Sequence, residues 1–144
     1  MSEDEFQATK AAIAAHADYW RDRLGLKGWT LIDHYYRDVG EFLIDNDNIR
    51  SAATVKAVWP YMTANFYWNV FDMLKDDNLD ETVLHEHAHV LVCEMRDPET
   101  KAVTDHEERV VTMVTNALVW TRDHERSKAA HFSLESWSLQ PVEH

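Results

Sequence analysis

The run Asp80-Glu81-Thr82-Val83-Leu84-His85-Glu86-His87-Ala88-His89-Val90-Leu91-Val92-Cys93-Glu94-Met95-Arg96 decides how this chain is read. Leu84, Ala88, Leu91, Val92 and Met95 recur at the helical period, which predicts a helix from about Glu81 to Arg96 with one apolar stripe. Asp80 suits its N-cap, because a carboxylate there can accept from first-turn amides. Asp97-Pro98-Glu99-Thr100 then ends the helix and turns the chain. Inside it, His85, Glu86 and His89 spell H-E-x-x-H. Residues four apart differ by ~40° in direction, so the two imidazoles face one side and can grip one ion. Glu86 leaves the same helix near the open coordination position, where a carboxylate can take a proton from bound water. In a chain with nine His the pattern arises by chance roughly once in twenty, so its surroundings set its weight. His85 and His89 lie at the edge of the apolar stripe, as partly buried ligands should. His87 points nearly opposite and reads as solvent-facing or as support behind the ligands. Cys93, on the same helix among apolar residues, reads as a small buried hydrophobe.

Downstream, a second helix is expected from a cap at Thr104 or Asp105 to about Asp123, with Val103, Val110, Val114, Ala117 and Leu118 on its apolar face. Glu107 falls within ~40° of Val103 on this wheel and Glu108 ~140° away. An inward carboxylate must be paired or bound to something, so Glu107 is the expected third ligand. Glu108 is the alternative, because helix phases read from sequence can slip. His106 lies on the opposite margin. From Ser127 onward the chain is polar with scattered aromatics. The expected organisation is one domain over 1–124 and a tail over 125–144.

Upstream, residues 3–24 read as a helix, with Ser2 and Glu5 forming a capping box and Gly25 as its left-handed stop. Trp29 to Tyr36 reads as a strand, 40–50 as ambiguous, 52–58 as a second strand and 62–70 as a third, with Ala64, Phe66, Trp68 and Val70 on one face. Pro60 separates the last two. The fold class is therefore α+β: a helix, a small sheet of about three strands, then two helices. Strands ahead of the metal-site helix give it a backing sheet, whose edge can take up a peptide by strand addition.

The composition narrows the function. The chain has 144 residues, enough for one domain with a sizeable core. A formal net charge of −12 argues against nucleic-acid backbones and anionic membranes, both of which need clustered Lys and Arg. A single cysteine excludes an intrachain disulfide and a cysteine-rich zinc site. No apolar leader or spanning run is read in it, and a cytoplasmic protein is expected.

Leu84-His85-Glu86-His87-Ala88-His89-Val90-Leu91, followed by Glu107-Glu108-Arg109-Val110-Val111 and preceded by Gly28-Trp29-Thr30-Leu31, resembles the minimal gluzincin-type zinc peptidases. Within them it is similar to phage- or prophage-encoded domains, and more distantly to ImmA/IrrE-type peptidases. The resemblance implies a zincin-like fold with an N-terminal helix, a small twisted sheet, an active-site helix and a ligand-bearing C-terminal helix. It also implies a zinc ion held by His85, His89 and Glu107, Glu86 as general base, and a peptide or protein substrate. The family's transition-state stabiliser is often a Tyr or His outside the motif, for which His131, His124, Tyr61 and Tyr67 are the options here. His87 departs from the family, where a small or apolar residue is usual. A different class is a non-catalytic, phage-derived module that binds a protein partner and keeps a structural or vestigial metal site.

Overall fold

The computed structural model describes residues 1–93 and 101–138, and the side chains within 1–93 and 107–131. Five α-helices and a three-stranded mixed sheet make up an α+β architecture among these residues. Helix α1 spans Glu3–Arg23, and both hydrogen bonds of the Ser2–Glu5 capping box are formed. Gly25 stops the helix at φ 69°, a conformation that only glycine adopts without strain. Strand β1, Thr30–Tyr36, follows. The ambiguous segment resolves into helix α2, Val39–Asp45, capped by Asp38 accepting from the Gly40 amide.

Strands β2, Ala53–Val58, and β3, Thr63–Asn69, pair antiparallel, joined by a short 3-10 turn at Trp59–Tyr61 that contains Pro60. β1 runs parallel to β3 on its other side, so the order is β1-β3-β2 and β2 is an edge. Register aligns Leu31, Asp33 and Tyr35 with Ala64, Phe66 and Trp68, and these with Ala57, Val55 and Ala53. That face meets the helices. Val70, expected on the third strand, instead opens a four-residue helix, α3, Val70–Met73, because the Asn69 side chain caps it through the Asp72 amide.

Helix α4 spans Leu79–Val92 and packs between α1, β2 and the long helix α5, Lys101–Ser138. Asp80 is not its cap: the cap position is Asn78, and the Asp80 carboxylate turns inward. There it accepts from the indole N–H of Trp20 and pairs with Arg122 and His16, tying α4 to α1 and α5. Leu91, placed by periodicity on the apolar stripe, is exposed, because the buried side of α4 is centred on Val83, His87 and Val90. The helix end at Arg96 and the turn over 97–100 lie outside the described residues. Helix α5 is already underway at Lys101, ahead of the expected caps Thr104 and Asp105, and continues to Ser138, past the expected stop at Asp123. Its inward face carries Glu107, Val111 and Thr115, with Val110 and Val114 only partly buried and Ala117 exposed. The side chains of Val103 and His106 lie outside the described set.

The core gathers Ile13, Ala17 and Trp20 of α1, Ala64, Phe66 and Trp68 of β3, and Val83, Leu84 and Val90 of α4. Cys93 is buried, as its apolar surroundings suggest. No helix of the described residues is long and apolar enough to cross a membrane.

Candidate metal centre

The helix pitch does what the spacing requires: His85 and His89 stand side by side on α4, ring centroids 5.0 Å apart. Glu108 reaches them from α5. Its Oε1 lies 2.9 Å from His89 Nε2 and its Oε2 3.4 Å from His85 Nε2. Donor atoms of His85, His89 and Glu108 all fall within 4.8 Å of one another. Two tetrahedral ligands at ~2.1 Å from one ion sit about 3.4 Å apart, so this set needs only a small adjustment to share a cation.

Glu107, the expected third ligand, takes a different place. Its Oε1 lies 2.9 Å from His89 Nδ1, the nitrogen facing away from Glu108. A carboxylate accepts only, so Nδ1 donates to Glu107; Nε2 faces the Glu108 carboxylate in the same way, and an ion bound there would replace the Nε2 proton. The wheel placed the two glutamates correctly in depth, with Glu107 6% exposed and Glu108 54%. It missed that the imidazole presents its two nitrogens to opposite sides. The inward carboxylate therefore meets the back of the ring, and the rim carboxylate meets the front.

Glu86 lines a pocket of about 230 Å³ together with His89, Glu108, Ser51 just ahead of β2, and Ala53, Thr54 and Val55 of β2. His85 opens instead to an adjoining hollow lined by Asp76, Asn78, Glu81 and Thr82. Burial, reinforced by the Glu108 charge, raises the Glu86 pKa to about 8. Burial and then the neighbouring His89 lower the His85 pKa, which favours the neutral imidazole that a metal needs. Four carboxylates, Glu86, Glu108, Asp76 and Glu81, and two imidazoles thus line the two hollows, and the residues around the 230 Å³ pocket include no Lys or Arg. A divalent cation satisfies that donor set, and its nitrogen and oxygen chemistry suits zinc.

His87 is neither solvent-facing nor behind the ligands. It is fully buried on the opposite side of α4, stacked on Phe66 with centroids 4.4 Å apart. Its Nδ1 lies 2.7 Å from the Val83 carbonyl oxygen, and Arg21 Nε donates to its Nε2 at 2.8 Å. Both nitrogens are committed, so it cannot serve a second metal. Arg21 in turn makes a two-pronged pair with Asp33, which also accepts from the Trp68 indole at 2.9 Å. Asp33 on the helix-facing side of β1 was the available signal: strand alternation puts a charge into the core, where it requires a partner.

Of the proposed transition-state stabilisers, none lines the pocket. Tyr61 is exposed at the β2–β3 turn, Tyr67 stacks on His34 on the outer sheet face, His124 stacks on exposed Trp120, and His131 is exposed. No family model, curated protein or solved structure matches this chain.

Proposed function

We propose that the chain is a zincin-like, zinc-dependent hydrolase of peptide bonds, with His85, His89 and Glu108 as the metal ligands and Glu86 as the general base. The observation that carries the reading is the convergence of His85, His89 and Glu108 from two helices, with Glu86 lining the pocket that His89 and Glu108 share. Bound zinc supplies Lewis-acid polarisation of a carbonyl and acidifies a water molecule. Glu86, lining the pocket beside His89 and Glu108, would take a proton from a water held there and pass it to the leaving nitrogen. A neighbouring cation opposes the burial that otherwise keeps this carboxyl protonated. Glu107 orients His89 and fixes its tautomer.

A peptide substrate is favoured because β2 lines the pocket and is an edge strand of the sheet among the described residues. Val58, Trp59, Tyr61 and Met62, exposed around the β2–β3 turn, favour a second reading, capture of a protein partner without catalysis. One set of variants separates the two. Wild type is expected to carry about one zinc per chain, His85→Ala to lose it, and Glu86→Gln to keep it while losing at least ~100-fold in peptide hydrolysis. Retention of biological activity by Glu86→Gln overturns the hydrolase reading in favour of capture.

A further inference from the structure

We infer that His87, through Arg21 and Asp33, is a positioning residue that sets the rotation of α4 about its axis and so aims His85 and His89 at Glu108. This rests on the metal reading above. His87 lies between the two ligand histidines in sequence and opposite them in space, fully buried. An apolar residue in its place would fill volume but would make no directional bond between this side of α4 and its neighbours. The imidazole makes such a bond, to Arg21, and its hydrogen bonds are directional at both ends. The Val83 carbonyl can only accept and the Arg21 guanidinium can only donate, so one ring orientation and one tautomer meet both partners.

The anchor at the far end reaches two further elements. Arg21 belongs to α1 and holds Asp33 of β1 at 2.7 and 2.9 Å, and Asp33 also takes the indole N–H of Trp68 on β3. The guanidinium lies over the Phe66 ring, 4.9 Å from its centroid. A helix, two strands and α4 are thus joined by a chain of satisfied polar groups inside the core. The leverage is large. A roll of α4 by ~20° carries a side-chain tip ~6 Å from the helix axis through about 2 Å. Coordination distances tolerate ~0.2 Å.

Cobalt(II) in place of zinc reports both affinity and ligand geometry through its visible absorption. Wild type is expected to bind about one Co(II) with a strong tetrahedral band. His87→Leu and Arg21→Leu, shown folded by circular dichroism, are expected to bind at least about tenfold more weakly with an altered band. Ile13→Ala, a core cavity in α1 away from this chain of bonds, is expected to lower stability yet keep the wild-type affinity and band. Wild-type binding by folded His87→Leu overturns the inference, as does an equal loss in Ile13→Ala. Should His87→Leu fail to fold, Asp33→Asn decides in the same way: it keeps the shape but removes the charge that anchors Arg21. Absence of Co(II) binding by wild type is a different failure, that of the metal reading itself, and it takes this inference with it.

Discussion

Glu107 and Glu108 are neighbours in the chain and yet address opposite nitrogens of His89, at the same distance of 2.9 Å. Their roles predict different losses. Glu108→Ala removes a proposed ligand and is expected to weaken zinc by at least a hundredfold, whereas Glu107→Ala leaves the proposed ligand set intact and costs about 10–100-fold through a misoriented His89. Competition with a chelator ranks the two, and the reverse order returns the ligand role to Glu107. His87 makes a pH prediction. Burial, then the Arg21 charge, push its pKa from 6.5 down to about 4. The unfolded chain therefore binds the proton first, and stability that is complete above pH 6.5 drains as pH falls toward 4, by roughly 3 kcal/mol. Urea unfolding at stepped pH reads that limb, and His87→Gln should lack it. Further down, Asp33 acts in the same sense. Burial raises its pKa, but the Arg21 and Trp68 bonds outweigh that and hold it below the ordinary carboxylate value, so its contribution is lost as pH falls through that range.

At the level of elements, polar contacts among the described residues join α4 and α5. At the candidate metal centre Glu107 and Glu108 reach His89, and farther along Arg122 reaches Asp80. Arg122→Ala leaves the partly buried Asp80 carboxylate with Trp20 and His16, and is expected to cost about 1–2 kcal/mol in urea unfolding. An unchanged midpoint would show that the link is superficial. The helices and strands with a local cause were legible in the sequence. The Ser2–Glu5 box, the Gly25 stop and the β2–β3 alternation are all set by groups within a few residues of one another. Asp80 was misread because capping and a long-range ion pair use the same carboxylate, and only the fold brings Trp20 and Arg122 to it. The rotation of α4 was misread for a similar reason: counting His87 as polar moved the apolar stripe round to Leu91.

For the molecule as a whole, the motif was plain in one dimension but its wiring was not. H-E-x-x-H fixes only the relative directions of two rings. Which glutamate completes the set depends on how α5 lies against α4, a packing choice made by Val111 and Thr115 together with the link to Asp80. The sheet carries one further consequence, for the order of assembly. β2 and β3 are joined by four residues and can zip within microseconds. β1 is parallel to β3, and its partners lie 33 positions along the chain, so the loop between must close before it docks. Pulse-labelled amide exchange during refolding is expected to protect Thr54 and Tyr67, paired across the β2–β3 ladder, before Ile32. Because Asp33 arrives with β1, Arg21 has no counter-ion until that last strand is in place, and the geometry around His85 and His89 matures only at the end of folding.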